Sequence, residues 1–238
     1  MAVAERSRLA GLARDGVFTW DDLQAMPEDG FRWELVDGQL FVTPAPRLRH
    51  QRAIRRLCGV LTAACPGELE VVLSPYDWKI SRTTVFEPDL MVVRKDQLDL
   101  DQPFTGSPLL VVEVRSPSTA VTDETLKRQQ YAQHGAAAYW LVDPGGPVTQ
   151  APGPAARASG GSTGGGAATR VPSLTALRLQ DGAYVEAASV TGDDAYDADF
   201  PFPVTVVPGR LVESRPASGG HRAVGRADPL EAEENKPG

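Results

Sequence analysis

Four charged residues stand where apolar ones would cost less: Glu34 in "WELV", Asp89 in "FEPDLMVV", Glu113 in "LLVVEV" and Lys127 in "DETLKRQQY". An ionised carboxylate cut off from water is costly unless something pairs with it. Two or three carboxylates gathered at one lysine repel one another, and a divalent cation relieves that repulsion. Mg²⁺ suits such a set, because it prefers hard oxygen ligands and keeps several of its waters. A metal of this kind lowers the pKa of a bound water and neutralises charge growing on a phosphate, while a lysine orients or deprotonates the attacking water. The chemistry implied is metal-dependent hydrolysis of a phosphodiester. Each residue also has a plainer reading by itself: a strand glutamate in a simple ion pair or at a sheet edge, an aspartate after Pro88 in a turn.

The elements around these residues decide whether they can meet. "PLLVVEVRSPST", residues 108–119, reads as a buried strand over 109–115 with Glu113 inside it. The segment 118–135 reads as a helix, with Ser118 or Thr119 as cap, Asp123 and Glu124 in the first turn and Gly135 just past the end. A strand, a short loop and a helix packed back over the sheet bring the helix's inner face to the strand ends. Lys127 lies about two turns into that helix, at ~1.5 Å per residue. Its stem can follow apolar surface and deliver the ammonium to Glu113.

Elsewhere the patterning is regular. "TWDDLQAMP" (19–27) reads as a short helix capped by Thr19. "RWELVDGQLFVTP" (32–44) is a hairpin turning at Asp37-Gly38. Residues 46–65 are helical, with Leu48, Ala53, Ile54, Leu57, Cys58, Leu61 and Ala64 at three- and four-residue steps and Pro66-Gly67 as the stop. Arg49, Arg52 and Arg56 fall on another face, and the arginines of 47–56 either grip a phosphate backbone or form a solvated surface. Strands are expected at about 69–73, 76–80, 86–93 and 137–143, and a second hairpin over 174–190 turns at Asp181-Gly182. Lys79 alternates with Trp78 and Ile80, so it faces either the cleft or water.

Composition sets bounds. The chain has 238 residues, is 42% hydrophobic and 23% charged, and carries a net charge of −7. That balance argues against a nucleic-acid partner, but the acid excess lies mostly outside residues 31–143, which are close to neutral. Cys58 and Cys65 match neither a disulfide framework nor a metal motif and read as reduced packing residues. The N-terminus is too polar for a signal peptide, and no apolar run approaches the length of a membrane span, so a cytoplasmic location is expected. Residues 1–16 read as a flexible N-terminus, 17–212 as one domain with a Gly/Pro-rich, low-complexity insert at 144–170, and 213–238 as a disordered tail.

Taken together, "WELVDGQL", "TPAPRLRHQ", "EPDLMVV", "LLVVEVRSPST", "KRQQYAQHGAAAYWLVDP" and "PFPVTVVP" resemble the Uma-two family, once a domain of unknown function and now classed with candidate restriction endonucleases of the PD-(D/E)-x-K superfamily. The resemblance is strong over 18–143 and weaker over 172–212. It implies an α/β (α+β), restriction-endonuclease-like fold, a mixed β-sheet flanked by helices, here with N- and C-terminal hairpins. It makes Asp89 and Glu113 metal ligands, with the Val114 carbonyl as a third, and Asp89, Glu113, Lys127 and Glu34 the catalytic set. The superfamily's usual lysine position holds Arg115, and Lys127 on the following helix supplies the amine instead. His50, Arg115, Tyr131 and Lys79 are expected to line the site, with Tyr131 steadying Lys127.

The function implied is a Mg²⁺-dependent endonuclease, with Mn²⁺ as substitute, that cleaves nucleic acid, foremost DNA, with a homodimer as one candidate assembly because duplex cleavage often calls for two sites. The alternatives are a nuclease-fold module that binds nucleic acid or a protein without turnover, and a hydrolase of another phosphate ester such as a nucleotide. No P-loop or Rossmann glycine fingerprint is present.

Overall fold

The computed structural model describes residues 16–26, 31–43, 45–116, 123–147 and 169–213. The expected flexible N-terminus, the tail beyond 213, most of the 144–170 insert and the caps Ser118 and Thr119 lie outside the described residues.

Helix α1 (Trp20–Gln24) starts at Thr19, whose backbone N–H and hydroxyl both donate to Asp22 Oδ2, at 2.7 and 2.6 Å. Strands β1 (Arg32–Val36) and β2 (Gln39–Thr43) form the first hairpin. Its turn places Asp37 at φ 49° and Gly38 at φ 77°, the left-handed pair that the twist of a two-residue hairpin demands. A Cβ on Gly38 would also stand 2.4 Å from Val17 Cγ1. Helix α2 (Leu48–Ala64) buries His50, Ala53, Ile54, Leu57 and Leu61, the stripe expected of a one-sided helix.

β3 (Leu69–Leu73), β4 (Trp78–Lys79), β5 (Val85–Phe86), β6 (Leu90–Arg94) and β7 (Leu110–Val114) follow. A π-helical turn, Asp123–Lys127, runs into α3 (Arg128–Gln133), which ends with Gly135 at φ 79°. The rest comprises β8 (Ala138–Asp143), β9 (Gly146–Pro147), β10 (Thr169–Arg170), the hairpin β11 (Ser173–Gln180) and β12 (Ala183–Thr191), and the short pair β13 (Tyr196–Ala198) and β14 (Val204–Val206).

The main sheet has six strands in the order β12-β11-β8-β7-β6-β3. β7 and β8 are parallel and the other pairs antiparallel, so the segment carrying Lys127 is the crossover of a β-α-β unit. A smaller sheet, β2-β1-β5-β4, stands beside it. The single strand expected over 86–93 is divided: β5 belongs to the small sheet and β6 to the large one, and Pro88, which has no N–H to donate, lies between them. The fold is therefore the mixed-sheet α+β arrangement expected, with both hairpins present.

Alternation assigns the faces. Leu90, Val92, Leu110, Val112, Val114, Trp140 and Val142 pack under α2, and Met91, Val93, Val111, Tyr139 and Leu141 pack on the opposite side with Trp78, Phe86 and Tyr131. Glu113 shares the second face. No helix among the described residues is long and apolar enough to cross a membrane.

Candidate functional site

The register Leu90↔Val112 between β6 and β7 sets Asp89, one residue before β6, against the end of β7. There the Val114 N–H donates to Asp89 Oδ2 at 2.8 Å. One strand residue away is Glu113, 2% exposed. Lys127, 3% exposed, brings its Nζ to 3.0 Å from Glu113 Oε1 and 2.9 Å from Glu34 Oε1. A π turn is frequent at functional positions because it re-aims one side chain without ending the helix, and Lys127 is its last residue. Glu34 Oε1 also accepts the Glu87 N–H at 3.0 Å, so the hairpin and the β5–β6 segment are tied at the same atom. Tyr131, one turn beyond Lys127, donates its hydroxyl to Glu113 Oε1 at 2.7 Å, the same oxygen that receives the Lys127 ammonium.

Asp89 is held from three sides. Arg32 Nη2 lies 2.8 Å from its Oδ1 and His50 Nε2 lies 3.2 Å from its Oδ2. Burial pushes its carboxyl pKa up. The His50 hydrogen bond, the Arg32 charge and the Val114 N–H outweigh this and hold it at about 2. Arg32 also pairs with Glu87 Oε1 at 3.0 Å. Burial would lower the Arg32 pKa, but Asp89, Glu113 and Glu34 raise it above its ordinary value. Glu87 sits at about 7, pushed up by burial and by Asp77, Glu34 and Asp89 against the pull of Arg32. Four carboxylates thus face Arg32 and Lys127, and burial together with neighbouring carboxylates lets Glu87 keep its proton up to about pH 7.

Glu34, Asp89, Glu113, Lys127, His50 and Val114 all line one cavity of about 1100 Å³. Lys79, Arg115 and Tyr131 do not. Lys79 lies over the Trp20 ring at 4.8 Å, because a strand of two residues aims it at α1. Arg115 turns to Glu124 (2.7 Å) and Asp143 (3.7 Å), since strand alternation puts both it and Glu113 on the same side but β7 ends at Val114. Arg32 and Glu87 are members of the site that the sequence reading missed. Two signals pointed to them: Arg32 is two residues from Glu34, hence on one face of β1, and Glu87 is two residues from Asp89.

Asp89 and Glu113 line the same cavity and offer hard carboxylate oxygens, a chemistry that suits Mg²⁺ or Mn²⁺ and not a soft thiophilic metal. Among the described residues, no three His, Cys, Asp or Glu side chains are drawn together as a ready-made cage. For Mg²⁺ that is no obstacle, since one or two carboxylates with substrate oxygens and water satisfy it.

Residues 20–207 match the Uma2 family, described as "Putative restriction endonuclease". The chain belongs to the Uma2 family. Among solved structures, this Uma2 chain is similar to "a putative nuclease belonging to DUF820 from Anabaena variabilis ATCC 29413", with a TM-score of 0.55 and 17% identity over 82% of this chain and 97% of that one. At that identity the likeness is one of fold. No curated protein matches the chain.

Proposed function

We propose that this Uma2 protein is a Mg²⁺-dependent endonuclease that hydrolyses phosphodiester bonds of DNA. The observation that carries this reading is the Lys127 ammonium between Glu113 and Glu34, in a cavity that Asp89 also lines. Asp89 and Glu113, with the Val114 carbonyl, would hold the ion, which supplies charge neutralisation at the phosphate and a more acidic water. The chain's own residues do the positioning. Lys127, fixed by two carboxylates, would present its ammonium to the attacking water or a phosphate oxygen. Glu34 keeps the ammonium in place, and Tyr131 holds the Glu113 carboxylate in one orientation.

The test is plasmid cleavage in Mg²⁺ by Asp89→Asn and Glu113→Gln, with circular dichroism to establish that both variants fold. Loss of cleavage in both is expected. Persistent cleavage in either overturns the assignment.

One observation favours a second reading, a nuclease-fold module that binds without turnover: Asp89 already carries Arg32, His50 and the Val114 N–H. Titration calorimetry with Mn²⁺ separates the two, since absence of metal binding favours the module.

A further inference from the structure

The cavity has two unlike walls. One is the acidic wall of Glu34, Glu87, Asp89 and Glu113. The other is the first two turns of α2, and it is basic. Five arginines lie between residues 47 and 56, and the structure divides them into two groups. Arg49 Nη1 donates to Pro144 O at 3.2 Å, Arg52 Nη1 to Val212 O at 3.2 Å, and Arg56 Nη1 to Arg210 O. These three fasten β8's end and the C-terminal segment to the helix. Arg47 and Arg55 are different. Both are exposed, both line the cavity, and neither has an ion-pair or hydrogen-bond partner among the described residues. With Gln51, which also lines the cavity, they recur every four residues and so share one helix face. From Arg47 to Arg55 is about 12 Å at ~1.5 Å per residue, roughly three to four of the ~3.4 Å axial steps between successive phosphates on one strand of B-DNA.

One further observation marks this wall as anion-seeking. The N-terminus of α2 opens here: Arg47 is its N-cap and makes no capping hydrogen bond through its side chain. The first turn's N–H groups and the positive end of the helix dipole are therefore available to a negative group. A chain of net charge −7 with four carboxylates at its site repels a polyanion unless cations flank the site. The Arg47–Gln51–Arg55 face is where such flanking charge is free to act.

We infer that this face of α2 is the phosphate-gripping ledge of the cavity: Arg47 and Arg55 each contact one backbone phosphate of the nucleic-acid strand, flanking the phosphate presented to Asp89 and Glu113. The ledge rests on the reading of the cavity as a phosphodiester site. It carries no sequence information, because phosphate contacts set register and not base identity.

The experiment measures binding of a labelled DNA duplex to the full chain in EDTA, by fluorescence anisotropy, from about 50 to 300 mM salt. Arg47→Gln/Arg55→Gln is expected to reduce the slope of log affinity against log salt by about 1.8, two contacts at about 0.9 each, which is roughly a 60-fold loss at 0.1 M salt relative to 1 M. Arg82→Gln, which removes an equal kind of charge from the exposed pair with Asp21 outside the cavity, should leave the slope unchanged. An unchanged slope in the double variant, an equal fall in Arg82→Gln, or no duplex binding by the parent chain overturns the ledge. Cleavage is read separately on the parent chain. Cleavage with an unchanged slope in the double variant removes the ledge and leaves the nuclease reading standing. The expected slope change without any Mg²⁺-dependent cleavage does the reverse.

Discussion

The ammonium of Lys127 lies 3.0 Å from Glu113 Oε1, with both side chains nearly sealed from solvent. Glu34 Oε1 is on the same ammonium at 2.9 Å. One cation from the crossover segment therefore meets two carboxylates, one from the hairpin and one from a central strand. Breaking a buried pair from one side leaves an uncompensated charge, which costs about 3–5 kcal/mol. Here two carboxylates would be left. Lys127→Met, which keeps the volume, is expected to lower unfolding free energy by at least about 3 kcal/mol in urea titrations, and to abolish cleavage at temperatures where the variant remains folded.

Tyr131 is fully buried among Trp78, Phe86 and Tyr139, with ring centroids 5.0–5.5 Å away. Burial and the nearby Glu113 and Glu34 push its hydroxyl pKa well above the ordinary value, so it stays a donor to Glu113. Tyr131→Phe keeps the ring packing and removes only that bond. A hydrogen bond to a charged group contributes about 1.5–3 kcal/mol. The expected outcome is a loss of that size in unfolding free energy, with an unchanged dependence on urea concentration.

Much of this was legible in residue order. Asp37-Gly38 and Asp181-Gly182 specify their turns through a left-handed backbone, and Asp37 and Asp181 both sit at φ 49°. The three- and four-residue steps of α2 and the crossover geometry that carries Lys127 to Glu113 follow from periodicity and chain connectivity. Alternation, however, assigns a side chain to a face and does not name its partner across elements. Arg32 therefore read as an ordinary strand residue, although it holds Asp89 from 57 residues away. Lys79 and Arg115 failed for a related reason: short strands end where backbone pairing ends, and neither end is visible in side-chain pattern. Splitting 86–93 between two sheets depends on Pro88 and on which neighbour each half finds, and that is a tertiary choice.

Arg32 occupies Asp89 Oδ1 and Glu87 Oε1 together, at 2.8 and 3.0 Å. A divalent cation arriving at Asp89 must compete with that guanidinium. Arg32→Gln removes the competitor and keeps a polar side chain beside Ser74, which Arg32 Nη2 contacts at 3.3 Å. Mn²⁺ affinity measured by calorimetry should rise, by about tenfold for each ~1.4 kcal/mol of competing interaction lost. The same variant should be less stable without metal, because Asp89 and Glu87 then face each other with less opposing charge. Equal Mn²⁺ affinity in parent and variant would show that Asp89 holds no ion.

Asp77 provides a pH signature separable from the carboxylates at Asp89 and Glu113. Burial and the negative charge of Glu34 push its carboxyl from 3.8 up to about 6. A carboxyl whose pKa is raised on folding favours the folded state while it is protonated in both states, and that contribution is lost as pH rises through the folded value. Asp77 therefore stabilises the chain below about pH 4 relative to above pH 6. Asp89, held at about 2, runs the other way: its contribution is complete above its ordinary value of 3.8 and is lost as pH falls toward 2. In EDTA, the urea midpoint of the parent chain should fall between pH 4 and 7 relative to that of Asp77→Asn, which cannot ionise at this position, and the two curves should run parallel above pH 7. A difference between them that stays constant from pH 4 to 7 would mean that Asp77 ionises at its ordinary value and is not desolvated beside Glu34.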